Sequence, residues 1–249
     1  MKYKTIVISD VHLGRKDSKV DEVVDFLKTN SCDNLFLNGD IIDGWHLQRG
    51  GKWTKTHTKF IKKIMKLVSH NKTKVVYIRG NHDDFLENIM PFSIGDNFEI
   101  KTDYVYNSLG KKFLILHGDI FDDITSKITW LSKLGDVGYE VLLWINRRNN
   151  NKRLKRGLPY KSFSQDIKKK VKFLVSFLSK FEEKAVKFAE HKKCDGVICG
   201  HIHTPENKII NGMIYMNSGD WVETKSALVE DFDGNWEIIY SEDKIIKQS

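Results

Sequence analysis

An α/β domain with a largely parallel sheet is the fold class this sequence predicts, on three observations. Short β-branched runs alternate with amphipathic stretches through the N-terminal half. A polar signature follows each of those runs. Near the C-terminus, apolar runs follow one another with little helical pattern between them, which predicts hairpin-connected strands.

The elements follow in order. "TIVIS" (5–9), "NLFLN" (34–38), "KVVYIR" (74–79) and "KFLIL" (112–116) read as strands covered on both faces, because their apolar runs are continuous. Between the first two, Val20, Val23, Val24 and Leu27 recur at helical spacing. Between the next two, Phe60, Ile61, Ile64, Met65 and Val68 do the same. This βαβ rhythm puts helices on the faces of the sheet. Residues 122–192 break it. Trp130, Leu134, Val137, Val141 and Trp144 mark one amphipathic helix. Val171, Leu174, Val175, Leu178, Phe181, Ala185 and Phe188 mark a longer one. The basic, Asn-rich "NRRNNNKRLKRGLPY" joins them, so the segment reads as a helical insertion that leaves the sheet and returns. "GVICG", "MIYMN", "SALVE" and "WEIIY" supply the last strands.

The 249 residues, 40% hydrophobic and 30% charged, suit one large globular α/β domain and exclude a disordered chain. A net charge of +8 favours phosphates, nucleic acid or an anionic membrane surface as partners. No helix-turn-helix or RNP signature is present, so nucleic acid is not the expected partner. Cys32, Cys194 and Cys199 form no CxxC pair and are odd in number. That excludes a disulfide framework and makes a reducing cytosol the expected compartment. The N-terminal apolar run stops at Asp10, too short for a signal peptide, and no stretch approaches the roughly 18 apolar residues of a membrane span. A soluble or peripheral protein is expected.

The strand ends carry the chemistry. Asp10-Val11-His12 follows the first strand, and Gly39-Asp40 with Asp43 the second. Gly80-Asn81-His82-Asp83 follows the third, His117-Gly118-Asp119 the fourth, and Gly200-His201-Ile202-His203 follows "GVIC". Ligands of open parallel sheets bind beyond the carboxyl ends of the strands, so five strands are expected to deliver Asp, His and Asn side chains to one rim. His46, His57, His70 and His191 lie outside these motifs and read as surface or packing residues.

DxH, GD, GNHD, HGD and GHxH in this order resemble the calcineurin-like metallophosphoesterases over roughly residues 5 to 220. The resemblance implies a four-layer α/β sandwich, two sheets flanked by helices. It would be a single domain over 1–249, with 122–192 as a helical cap insertion. It also implies two divalent metal ions. Asp10, His12, Asp40 and His203 would hold one, and Asp40, Asn81, His117 and His201 the other, with Asp40 bridging. Mixed oxygen and imidazole ligands favour manganese, with iron, zinc or magnesium as alternatives, over calcium. The implied reaction is in-line attack on phosphorus by a metal-bridging hydroxide. Asp40 and Asn81 would take part through the metals, and His82 would stabilise the transition state or protonate the leaving oxygen without binding metal. Asp43 and Asp83 would orient imidazoles. Asp119 would do so too, or would cap the next helix, as would Asp122.

"GDIIDGW", "HGDIFD" and "NSGDWVE" resemble one branch, the UDP-2,3-diacylglucosamine diphosphatases of lipid A biosynthesis. The implied reaction is cleavage of that glycolipid to UMP and 2,3-diacylglucosamine 1-phosphate. The substrate contacts would be Asn81, His82, Lys161 of "YKSFSQ", and Arg153 within the basic run. Six of the ten residues from Arg147 to Arg156 are Arg or Lys, a patch suited to anionic headgroups at the inner membrane face. One position departs: His82 stands where the well-known lipid A enzymes carry arginine. That leaves another nucleotide, lipid or protein phosphoester as the alternative substrate. A catalytically silent scaffold is the weaker alternative, because a scaffold has no need of a complete ligand set. Oligomeric state is not legible in the sequence.

Overall fold

The computed structural model describes residues 1–70, 73–121 and 164–241, with the helix backbone alone over 164–175. Its strands are β1 (Lys2–Ile8), β2 (Ser31–Asn38), β3 (Lys74–Ile78), β4 (Phe92–Ile94), β5 (Phe98–Lys101), β6 (Asp103–Ser108), β7 (Lys111–Leu116), β8 (Gly196–Cys199), β9 (Glu206–Ile210), β10 (Met213–Asn217), β11 (Ser226–Glu230) and β12 (Trp236–Tyr240). Its α-helices are α1 (Val20–Thr29), α2 (Gly44–Gln48), α3 (Lys55–His70) and α4 (Ser164–His191).

The strands form two mixed sheets. The first has the order β12-β11-β1-β2-β3-β5-β4, and the second β6-β7-β8-β10-β9. Parallel pairing runs through β1, β2, β3 and β5 in one sheet, and through β7, β8 and β10 in the other. Antiparallel strands close the edges. The two sheets that the resemblance implies are present, and the parallel pairing expected from the βαβ rhythm forms their centres. β9–β10 and β11–β12 are hairpins; of the expected C-terminal strands only β11 and β12 are hairpin-connected, since β8 and β10 pair in parallel and β10 and β11 lie in different sheets.

The layering follows from the alternation of side chains along the central strands. Ile6 and Ile8 of β1, with Leu35 and Leu37 of β2, face α1 and α3, where Val23, Val24, Leu27, Phe60 and Ile64 meet them. Val7, Phe36, Val76 and Ile78 face the other way, onto Phe113, Ile115, Ile198 and Met216 of the second sheet. Both faces of each central strand are thus covered, which accounts for their continuous apolar runs. Leu114, Val197 and Cys199 are buried on the second sheet's far face, and Ala185, Val186 and Ala189 are buried on α4. The three cysteines are buried and unbridged.

The backbone packing divides into one unit of 1–119 with 183–249 and another of 120–182. The helix expected around Trp130 to Trp144, the basic run, Asp122, Arg153 and Lys161 lie outside the described residues. Among the described residues, no helix is long and apolar enough to cross a membrane.

Candidate metal centre

The site is built from loops that leave the carboxyl ends of β1, β2, β3, β7 and β8, three in the first sheet and two in the second. Backbone hydrogen bonds zip the first two loops together: Asp10 N–H donates to Gly39 O (3.0 Å), His12 N–H to Asp40 O (2.9 Å) and Leu13 N–H to Ile41 O (2.8 Å). Tight turns let the other loops approach. Gly39 has φ +80, and a Cβ there would fall 2.3 Å from His117 Nδ1. A Cβ on Gly80 would fall 2.3 Å from Asp40 Oδ1 and 2.6 Å from its backbone nitrogen. Any larger residue at either position would force the loops apart.

These turns bring two triads together: Asp10 with His12 and His203, and Asp40 with His117 and His201. Within each triad the candidate ligand atoms lie within 4.8 Å of one another. A third grouping, His12, Asp40 and His82, links them. Both carboxylates are used in the same way. Asp10 Oδ2 accepts His201 N–H (3.0 Å), and Asp40 Oδ1 accepts His82 N–H (2.8 Å). Their other oxygens aim into the cluster. Asp10 Oδ1 faces His203 Nε2 at 3.2 Å and His12 Nε2 at 3.9 Å. Asp40 Oδ2 faces His117 Nε2 at 3.4 Å, and His12 and His82 Nε2 at 3.9 Å each.

This chain's own atoms fit a cation set. Asp10 Oδ1, both nitrogens of His12 and Asn81 Oδ1 are buried without a hydrogen-bond partner. Leaving such groups unsatisfied costs about 1–3 kcal/mol each. The His117 ring gives a sharper argument. Its Nδ1 donates to Asn38 O (2.9 Å), so in the neutral ring Nε2 carries a lone pair. That lone pair faces Asp40 Oδ2 and, at 3.3 Å, His201 Nδ1. A proton on Nε2 or on His201 Nδ1, or a cation between them, makes the contact favourable. Without a cation, protons do so. Burial opposes charge on His117, but Asp40 and Asp10 outweigh it and hold its pKa well above the usual value. Burial is likewise overcome at His203, raised to about 9 chiefly by Asp10, and at Asp10, lowered to about 2 chiefly by His203. Asp40 is lowered too, with His117 the main offset to burial. Metal can take over the role of these protons.

Around the triads the candidate residues divide. Asp43 caps α2 by accepting His46 N–H (2.7 Å), and it faces His12 Nδ1 at 3.5 Å and His82 Nδ1 at 3.2 Å. Asp83 touches no imidazole among the described residues. It accepts from Ile41 N–H (2.9 Å), the Tyr77 hydroxyl (2.7 Å) and Gly80 N–H, tying the β2 loop to the β3 loop. Burial, with Asp40 adding to it, raises its pKa to about 6. Asp119 pairs with Arg79 rather than with a histidine. The expectation that these two orient imidazoles is corrected: they hold backbone and arginine. His57 is a packing residue, exchanging hydrogen bonds with Thr54 at the start of α3.

Two neighbours were not singled out from sequence. Asp220 of "NSGDWVE" is fully buried, faces His203 Nδ1 at 4.0 Å and accepts Val222 N–H at 2.7 Å. Trp45 of "GDIIDGW" lays its ring 4.5 Å from that of His82. The motif strings were the available signal for both.

Comparisons with known proteins bear on the family. A family model described as calcineurin-like phosphoesterase matches residues 3–205. A UDP-2,3-diacylglucosamine hydrolase of Blochmanniella pennsylvanica is 29% identical over 118 residues, 46% of each chain. One of Psychromonas ingrahamii is 28% identical over 126 residues, 47% of each chain. The matched region therefore spans about half the length of these curated relatives. Among solved structures, the phosphoesterase Yfce of E. coli aligns with TM-score 0.49 at 15% identity, covering 96% of this chain and 93% of its own. A novel archaeal phosphodiesterase aligns with TM-score 0.44 at 12% identity, covering 94% and 98%. With the family's motifs matched over most of its length and their residues gathered on one rim, the chain belongs to the calcineurin-like phosphoesterases.

Proposed function

We propose that the chain is a dinuclear metal-dependent hydrolase whose substrate is UDP-2,3-diacylglucosamine, cleaved at its pyrophosphate to UMP and 2,3-diacylglucosamine 1-phosphate. The observation that carries the hydrolase reading is the pair of ligand triads on one rim, with Asp40 Oδ2 turned toward both. The substrate reading is supported by the two curated relatives, which carry that activity in their names. Asp10, His12, Asp40 and His203 would hold one ion, and Asp40, Asn81, His117 and His201 the other, manganese being the first choice for this donor set. Bound there, two divalent cations would supply Lewis acidity toward phosphoryl oxygens and acidify a coordinated water.

The remaining chemistry falls to the chain. The His82 side chain is 21% exposed on the open side of the cluster. Asp43 faces its Nδ1 and offsets the burial that opposes charge, so its pKa is raised. A proton at Nε2 is then available to the leaving oxygen. Lys161, Arg153 and the basic run enter from sequence alone, as contacts to the substrate's phosphates and to anionic headgroups. Free, buried cysteines fit a cytoplasmic setting at the inner membrane face.

His82 also favours a second reading, hydrolysis of a soluble phosphodiester, because it stands where the lipid A enzymes carry arginine. One assay separates the two: UMP release from UDP-2,3-diacylglucosamine with manganese, beside bis-p-nitrophenyl phosphate and an Asp40→Ala control. The glycolipid reading expects fast UMP release, reduced at least about 10³-fold in the control, as for loss of a metal-binding catalytic group. Hydrolysis of the nitrophenyl ester alone would retain the hydrolase and exclude the glycolipid.

A further inference from the structure

From Gly44 to His82 the chain contains no aspartate or glutamate, against ten lysines and arginines. α3 concentrates this charge. Its inner face buries His57, Phe60, Ile64 and Leu67. On the opposite side Lys55, Lys59, Lys62 and Lys66 recur at i, i+4, i+7 and i+11, all exposed. At 1.5 Å per residue they form a straight stripe of roughly 16 Å. None of the four has an ion-pair partner among the described residues. Half-buried Lys63 registers the unneutralised field: burial first, then Lys66 and Lys28, press its pKa down. The adjoining α1 carries acids, but Asp25 is engaged by Lys28.

Two large apolar groups accompany the stripe. Trp53 is 42% exposed just before α3, its indole N–H held by Thr58 Oγ1 at 2.9 Å. Met65, which its spacing assigns to the core, is 37% exposed. Position matters as well. Because β2 and β3 pair in parallel, α3 starts at the rim that carries Asp40 and runs back along the sheet. Lys52, Trp53 and Lys55 therefore stand at the site end.

We infer that the outer face of α3, from Lys52 and Trp53 to Lys66, is a docking surface for an anionic phospholipid membrane. α3 contains lysine and no arginine. Arginine is the residue that forks onto phosphates and reads base edges, whereas lysine is a hydrated point charge suited to the diffuse potential of a lipid surface. An exposed indole at the edge of the stripe suits the membrane–water interface. This inference goes beyond the substrate reading and does not depend on it.

The test is cosedimentation of the full chain with phosphatidylcholine vesicles, with and without phosphatidylglycerol, at low and high salt. Binding is expected to the anionic vesicles only, weakened by salt. It should fall by roughly 600-fold in the Lys55→Gln, Lys59→Gln, Lys62→Gln, Lys66→Gln quadruple variant, since each charge near such a surface is worth roughly fivefold. The variant should hydrolyse bis-p-nitrophenyl phosphate at the rate of the parent, which separates docking from the site. A second quadruple variant, Lys2→Gln, Lys111→Gln, Lys112→Gln, Lys187→Gln, removes the same charge from other exposed positions and should keep vesicle binding. An equal loss in that variant overturns the inference, as does a parent chain indifferent to phosphatidylglycerol. So does an oligonucleotide that outcompetes the vesicles for the same four lysines.

Discussion

Asp10, His12, Asp40, His201 and His203 all hold left-handed backbone angles, with φ between +51 and +68. Each costs on the order of 1 kcal/mol or more for a residue with a Cβ, and such strain collects where a site over-determines the backbone. The strain turns side chains of tight loops toward one point; the candidate ligand types and their delivery to one rim were legible from sequence, while the backbone angles that achieve it were not. At the same scale, metal uptake is expected to expel protons. In the metal-free chain His203 carries a second ring proton below about 9, because Asp10 outweighs burial; a metal-bound imidazole has given up that proton from its coordinating nitrogen. Apparent affinity for manganese should therefore strengthen as pH rises, by up to about tenfold per unit for each proton displaced, with the His203 contribution levelling off above about pH 9. Calorimetric titration in two buffers of different ionisation enthalpy measures the proton count. A count of zero at pH 7 would contradict the expectation.

At the scale of elements, the buried centre strands were readable and the edges were not. β1, β2, β3 and β7 carry continuous apolar runs because both faces are covered. β4 is exposed throughout, and β6 and β9 alternate, so none of them stands out from loop in a single sequence. Glycines decide how near the loops between elements can come. Gly80→Ala would drive a methyl into Asp40 Oδ1 and its backbone nitrogen, neither of which is a flexible chain end. A loss of about 1–3 kcal/mol in urea unfolding is expected, as for overpacking. Manganese affinity of the folded protein should fall with it. An unchanged affinity would mean that the β3 loop does not brace Asp40.

At the scale of the molecule, the site depends on holding two sheets in register, and a polar network helps to join them. Glu230 of β11 is fully buried and accepts from Tyr106 and Ser108 of β6, while Lys4 of β1 reaches both Glu230 and Ser108. Glu230→Ala should destabilise the fold by about 1–3 kcal/mol, since it removes the buried acceptor that Lys4, Tyr106 and Ser108 share, while Thr5 still bonds Tyr106 and Lys4 still bonds Ser108. Denaturant unfolding measures this. Metal affinity of the folded fraction should be retained, the network lying near the opposite ends of the strands from the ligand loops. A loss below about 0.5 kcal/mol would mean that apolar packing alone joins the sheets.

The sequence by itself determined the ligand inventory, the strands that deliver it and the family, because these are local: a motif is read within a few residues and a buried strand within its own run. The grouping of the candidate ligands was only implied by resemblance; the tertiary structure decided the distances at which they meet and what braces them. Sequence spacing places Asp40 and His201 far apart, and packing of the two sheets brings them onto one rim. The same holds for Asp220 beside His203, for Asp83 tying one loop to another, and for the lysines of α3 left facing outward once Phe60, Ile64 and Leu67 turn inward. Burial and orientation are properties of the packed chain, and they decide whether a charged residue becomes a ligand, a brace or a surface.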